Sequence, residues 1–243
     1  MKQHVFLIFI SSFLLFSLTF GCSSSHSRIT HRNSNIVGVT VDDQDASVEI
    51  REKFDEKGNV IKKSFNHPYN FTEAGLADIL SSVYYTEGEY TTDKRVIMAF
   101  WEEELQNIIP PIINAFSKAN DSQDILVFSR PYSETLGHAR SYFSMFMTNN
   151  ELNIVFSAIK RKKSMLTDGR AIQMGTYWRN SNKRIFKDPL EVKRSSRWSL
   201  VPMEGQRLAK EHQNWIIIDF AYYGDSNLFG KAGSDNIGDN TSP

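Results

Sequence analysis

Two apolar runs separated by a short polar turn constrain the fold of this chain most. Residues 139–147 and 152–159 flank Thr148-Asn149-Asn150-Glu151, and five of the six residues from Tyr142 to Met147 are apolar. Asparagines favour tight turns, so the pattern predicts a β-hairpin. A strand this apolar cannot keep one face in water. We therefore expect the hairpin at the centre of a sheet.

Further strands are predicted from short alternating or β-branched runs. These runs are residues 36–41, 48–54, 60–65, 95–99, 124–130, 174–178, 198–201 and 215–220. Residues 48–65 are typical of a second hairpin, with its turn at 55–59. Arg51 is then expected on the solvent side of that hairpin.

Helical spacing is clearest in the first half of the chain. Thr72 is a good N-cap, and Leu76, Ile79, Leu80 and Val83 follow it at intervals that place them on one helix face. A second helix begins near Glu102, where three consecutive glutamates suit the positive end of the helix dipole.

Two further local patterns affect the helix assignment. Pro110-Pro111 predicts that the second helix is broken into two short ones, because proline lacks the N–H group. Residues 206–210 predict a short helix.

Hairpins joined to a few helices indicate an α+β fold, with a mainly antiparallel sheet and two or three helices packed on one face.

The N-terminal 25 residues predict export. Lys2 precedes a run from Val5 to Phe20 in which twelve of sixteen residues are apolar, and Gly21-Cys22-Ser23 follows. A membrane-spanning helix needs roughly 20 apolar residues, so this run is short for one. A charged start, a short apolar core and a small residue are typical of a signal peptide.

Leu18-Thr19-Phe20-Gly21-Cys22 resembles the lipobox of bacterial lipoproteins. The resemblance implies cleavage before Cys22 and a diacylglycerol on its sulfur, and Ser23 implies sorting to the outer membrane, facing the periplasm. Cys22 is the only cysteine of the chain, so no internal disulfide explains an exported thiol. Several acyl chains on one residue would give a stable anchor. An ordinary signal peptide or an uncleaved anchor is the alternative.

Composition predicts a globular body behind this leader. The chain has 243 residues, of which 40% are hydrophobic and 23% are charged. We expect a signal peptide over residues 1–21, a serine-rich tether over 22–35, one α+β domain over 36–229 and a disordered tail over 230–243. The chain has 28 basic and 28 acidic side chains, and this balance gives no indication of nucleic acid as a partner.

The charge is unevenly distributed along the sequence. Residues 160–197 contain twelve basic and only three acidic side chains, and they open with Lys160-Arg161-Lys162-Lys163. These four residues are the predicted contact with an anionic partner or an anionic membrane surface, and such a contact would depend on salt. A solvated loop that faces an acidic part of the same domain is the simpler alternative.

No motif predicts a catalytic, metal or cofactor site. Gly224-Asp225-Ser226 resembles the Gly-Asp-Ser block of the GDSL-type esterases, but only seventeen residues follow Ser226 and none is a histidine. Serine needs a base to act as a nucleophile, so a polar turn is the simpler interpretation. His67, His138 and His212 lie far apart in sequence and lack metal-ligand spacing.

Two functional hypotheses follow from these observations. The first is a non-enzymatic lipid-anchored binding or assembly module of the cell envelope. Its expected contacts are the membrane, through lipid on Cys22, and another envelope protein or an anionic envelope polymer. The second is a lipid-anchored envelope hydrolase whose site is assembled only in the fold.

Overall fold

The fold is described from a computed structural model. It covers residues 34–42, 45–88, 95–130, 132–133, 137–160 and 186–223. The leader with Cys22, most of the tether, Arg161 to Lys163, the predicted strand at 174–178, the Gly224-Asp225-Ser226 turn and the tail lie outside these residues.

A seven-stranded antiparallel sheet forms the centre of the fold. In chain order its strands are β1 (Ser34–Asp42), β2 (Ala46–Lys53), β5 (Gln123–Ser129), β8 (Ser141–Thr148), β9 (Glu151–Ala158), β11 (Gln206–Leu208) and β12 (Trp215–Asp219). Their spatial order is β1-β2-β5-β8-β9-β12-β11. The hairpin predicted from residues 139–159 is confirmed. It consists of β8 and β9, and it lies at the centre of the sheet.

Smaller elements complete the fold. The helices are α1 (Glu73–Ser81), α2 (Glu102–Lys118) and α3 (Phe220–Tyr223), with a 3₁₀ turn at Pro189–Glu191. A second sheet has the order β10-β3-β4, from β3 (Tyr84–Glu87), β4 (Val96–Met98) and β10 (Trp198–Val201). A short pair joins β6 (Tyr132–Ser133) to β7 (Gly137–His138). The α+β class is confirmed. Among the described residues, no helix is both long and apolar enough to cross a membrane.

The main core lies between the seven-stranded sheet and the helices. Alternate strand residues such as Ile125, Val127 and Phe143 point into it and meet the apolar stripes of α1 and α2. The α1 stripe is the predicted one, and Thr72 caps α1 by accepting the Gly75 N–H at 3.1 Å. The helices therefore pack on one face of the sheet, as the sequence predicts.

The opposite face of the sheet is also covered. Phe186 packs with Phe128 and Tyr142, and Leu190 lies against a cluster that contains Phe65 and Phe146. Because both faces are covered, the central strands are buried at nearly every position. This accounts for their unbroken apolar character in the sequence.

Two predicted elements are wrong because local propensity is overridden by tertiary structure. Residues 60–65 do not form a strand: a single bridge pairs Phe54 with Val60, and Phe65 then donates its N–H to Asp121 O. Residues 206–208 form β11 and not a helix, because their backbone groups pair with β12. Here the long-range hydrogen bonds of a sheet edge replace a short and weak helix.

The prediction that Pro110-Pro111 breaks the second helix is also wrong. Helix α2 runs without interruption from Glu102 to Lys118. The two prolines deprive the carbonyls of Gln106 and Asn107 of their usual donors, and both of these residues are solvent-exposed. Because the freed carbonyls lie on the solvent side, water can satisfy them and the helix continues.

Arg51 is likewise not on a solvent-facing surface. Its side chain is fully buried on the back face of the sheet, where its Nε donates to Asp124 at 2.9 Å. Its Nη1 lies 3.0 Å from Asp188, whose carboxylate also binds Lys53 at 2.7 Å. Burial would lower the pKa of Arg51, but Asp124 and Asp188 outweigh that effect and raise it. The guanidinium therefore stays charged and links three segments of the chain.

Candidate functional site

Lys160, the first residue of the basic run, has a structural position that the sequence does not indicate. It is only 7% exposed, and its ammonium donates to the carbonyl of Met98 at 2.8 Å. The same ammonium lies 4.2 Å from the centre of the Trp101 ring, a cation–π distance. Its charge is therefore not presented to a partner or to a membrane surface. Arg161, Lys162 and Lys163 lie outside the described residues, so their predicted contact stays a prediction.

Glu104 lies in the same buried cluster as Lys160. It accepts hydrogen bonds from the Ser129 hydroxyl and, at 3.3 Å, from the Trp101 N–H. Burial raises the pKa of Glu104 to about 7 despite these donors and the nearby Lys160. Burial also lowers the pKa of Lys160 to about 8, against the pull of Glu104 and Glu87. Burial thus weakens the charge of both groups relative to water, while their hydrogen bonds hold the first turn of α2 against β4 and β5.

His67 and His212, the histidines whose side chains the structure describes, lie in separate aromatic environments. His67 stacks on Phe116 with ring centres 5.0 Å apart, and its Nε2 accepts the Met147 N–H at 3.3 Å. Burial lowers the pKa of His67 to about 4, so the ring is neutral. His212 packs edge-on against Trp215. Within the described part of the chain, no three His, Cys, Asp or Glu side chains are grouped for a metal ion.

A groove lies between α1 and α2 on the described surface. Its volume is about 630 Å³, within the range of ligand-binding clefts. Its lining residues are Glu73, Ala74, Ala77, Ser81, Met98, Phe100, Glu102, Leu105, Gln106, Ile109 and Pro110. Phe100, Leu105 and Ile109 are nearly fully buried and form its apolar floor.

The groove exists because, after Glu73, the face of α1 that lines it carries only small side chains. Ala74, Ala77 and Ser81 recur every three or four residues, so they lie one above another on the side of α1 that faces the groove. The larger residues Leu76, Ile79 and Leu80 point instead into the core. Short side chains leave the space between the two helices unfilled.

The rim of the groove is polar and acidic. Glu73 and Glu102 occupy the first positions of α1 and α2, and both are exposed. Gln106 adds an amide on the α2 side. An apolar floor beneath a polar rim is the arrangement typical of binding sites for apolar groups, since polar groups at the edge fix orientation.

The groove is a functional candidate that sequence reasoning did not identify. The sequence contains part of the signal, since the small residues Ala74, Ala77 and Ser81 share one face of the predicted first helix. The sequence does not show which residues lie opposite that face. The other wall comes from α2 and from Met98, and their position depends on packing across the whole sheet.

No family model, curated protein or solved structure matches this chain, so its function is inferred from its own residues.

Proposed function

We propose that this chain is a non-enzymatic lipoprotein of the cell envelope, facing the periplasm, whose folded domain binds a partner in the groove between α1 and α2. The groove is the observation that carries the binding part of the proposal. It combines an exposed polar rim with a floor of Phe100, Leu105 and Ile109, which is the chemistry of recognition by apolar burial.

The anchoring part of the proposal rests on the N-terminal sequence. A short apolar leader ends in Gly21-Cys22, and the only thiol of the chain is placed for acylation. A domain tethered by lipid on Cys22 would stay close to an envelope surface. Outer-membrane sorting, implied by Ser23, is proposed with it.

The residues that line the groove favour binding over the hydrolase alternative. Neither His67 nor His212 is among them, and their carboxylates, Glu73 and Glu102, are exposed at the ends of two different helices. A hydrolase that uses a serine needs a base beside it. Ser81 is the serine of the described lining, and it has no histidine or aspartate beside it among those lining residues.

Photocrosslinking in intact cells tests the binding proposal. A photoreactive amino acid replaces Met98 in the groove, and a second variant carries it at Lys57, an exposed turn residue outside the groove. We expect a discrete adduct at position 98 and none at position 57.

A groove-filling variant gives the matched control. Ala74→Trp puts an indole into the groove from an exposed position, whereas Asn107→Trp adds the same group to an exposed α2 residue that does not line the groove. The adduct at position 98 should disappear with the first change and persist with the second. An adduct that survives Ala74→Trp would contradict binding in the groove.

A further inference from the structure

The chemistry of the groove restricts the class of partner, if the proposed function holds. Glu73 and Glu102 are the charged residues of its described lining, and no lysine, arginine or histidine is among them. Asp78 and Glu103 are exposed on the same two helices, where Lys118, at the far end of α2, is the one basic residue. The exposed charged side chains around the groove are therefore mostly acidic, whereas Lys160, whose ammonium binds the Met98 carbonyl, is only 7% exposed. This exposed acidic surface complements a cationic partner.

The apolar surface continues beyond the groove onto the small sheet. Met98 lines the groove and is 48% exposed, and Val96, two residues earlier on the same strand face, is 55% exposed. Tyr84 is the cross-strand partner of Met98, and Val201 is the partner of Tyr84, so these side chains share that face. A partner thus meets a stripe of separated apolar contacts and not one closed pocket.

The backbone edge of β4 does not offer a free site for an added strand at Met98. Ala99 donates its N–H to Val83 O, so by alternation the Met98 carbonyl points away from β3. That carbonyl is the one that accepts the Lys160 ammonium at 2.8 Å. Lysines that protect strand edges in this way discourage pairing with another strand. Recognition therefore depends on side chains.

The length of the groove sets the length of the bound segment. Its α2 wall runs from Glu102 to Pro110, which is about 12 Å at roughly 1.5 Å per helical residue. An occupying helix would contribute about two turns over that length. Apolar side chains at intervals of three and four residues would lie on one face and meet the floor.

We propose that the groove takes a cationic amphipathic helical segment of another envelope protein. Its leucine-like side chains would rest on Phe100, Leu105 and Ile109, and its lysines or arginines would face Glu73 and Glu102. This inference rests on the proposed function and specifies the partner's chemistry.

Two synthetic peptides test this inference. Each has 14 residues with leucine at helical spacing, and the polar positions carry lysine in one peptide and glutamate in the other. The full chain is reconstituted in phosphatidylcholine nanodiscs, and empty nanodiscs give the reference for peptide bound to lipid. We expect the lysine peptide to bind at least about tenfold more tightly than the glutamate peptide, with a difference that shrinks as salt is raised.

Neutralising the rim tests which residues provide the charge preference. The double change Glu73→Gln and Glu102→Gln should lower the affinity for the lysine peptide by about three- to tenfold, because exposed ion pairs contribute modestly to binding. Glu56→Gln with Glu191→Gln removes two exposed carboxylates outside the groove lining and should leave the affinity unchanged. Ala74→Trp should abolish the binding of either peptide.

The outcomes separate this inference from the proposed function. Equal binding of both peptides, blocked by Ala74→Trp, would leave the groove as the binding site and overturn the cationic partner. Binding of neither peptide would overturn the inference, and the adduct at position 98 would still decide the proposed function. Concentration-dependent self-association that Ala74→Trp abolishes would assign the groove to a second copy of this chain and also overturn the inference.

Discussion

Asp124→Ala is expected to destabilise the fold more than any surface change. Asp124 lies on the back face of the sheet with its side chain 4% exposed, and Arg51 beside it has a side chain exposure of 0%. The change removes two charge-assisted hydrogen bonds to Arg51 and the one from the Ser144 hydroxyl. It leaves a buried guanidinium with Asp188, whose carboxylate Lys53 already shares.

The expected size follows from that geometry. A hydrogen bond to a charged group contributes about 1.5–3 kcal/mol, and breaking a buried ion pair by removing one partner costs about 3–5 kcal/mol. We therefore expect the free energy of unfolding to fall by about 3–5 kcal/mol for Asp124→Ala. Urea denaturation followed by tryptophan fluorescence measures this change. With Arg51→Met added, the double variant should lose at least about 2 kcal/mol less than the sum of the single losses.

A matched exposed pair provides the control. Arg207 binds both carboxylate oxygens of Glu151 at 2.8 Å, but its side chain is 56% exposed. Glu151→Ala removes similar chemistry in high dielectric and should cost less than about 1 kcal/mol. Equal losses for Asp124→Ala and Glu151→Ala would refute the reasoning, because burial would then have no effect on the contribution of the pair.

Three further predictions concern stability. The pKa of Glu104 rises from 4.5 to about 7 on folding, so the folded chain binds more protons between these pH values and the contribution of this group to stability falls as pH rises through that window. Glu104→Gln should remove this fall. The difference in unfolding free energy between Glu104→Gln and the parent protein should therefore change by about 3 kcal/mol between pH 4 and pH 8, at about 1.4 kcal/mol per pKa unit. An unchanged difference would contradict the burial of an ionisable Glu104. Thr72→Ala should cost about 1 kcal/mol by removing the cap of α1, whereas Thr72→Ser should restore most of it; denaturant melts of the three proteins check this. Gly205→Ala should cost about 1–2 kcal/mol, because Gly205 has a φ of +74° and a methyl group there would meet the Tyr222 side chain at 2.5 Å; no loss of thermal stability would contradict this strain.

The central part of the fold is predictable from sequence because its signals are local. The turn at Asn149-Asn150 and the apolar runs beside it predict β8 and β9 without knowledge of the rest of the chain. Thr72 and the spacing from Leu76 to Val83 predict α1 in the same way. These elements are confirmed because hydrophobic periodicity and end signals agree with the tertiary structure.

The features that the sequence did not reveal depend on surroundings that a residue meets only in the fold. Arg51 has the charge of a surface residue, but Asp124 and Asp188 make its burial tolerable. Lys160 belongs to a basic run in sequence, but in the fold its ammonium donates a hydrogen bond to the Met98 carbonyl at the edge of β4. Pro110-Pro111 predicts a break on propensity alone, whereas the side of the helix on which the freed carbonyls lie decides the outcome.

The groove was not predictable because it is a space between elements. The small side chains of one α1 face are visible in the sequence, but an empty volume requires the distance from that face to α2 and Met98. Periodicity identifies which side of a helix is buried, and it carries no information on what stands opposite the other side.

Mass spectrometry of the N-terminal peptide of the chain, purified from membranes, tests the proposal of a lipid-anchored envelope module most directly. We predict a chain that begins at Cys22 and carries a diacylglycerol on its sulfur, and Cys22→Ser should release the chain from the membrane fraction. A chain that keeps residues 1–21 with an unmodified thiol, recovered from the cytosol, would contradict it.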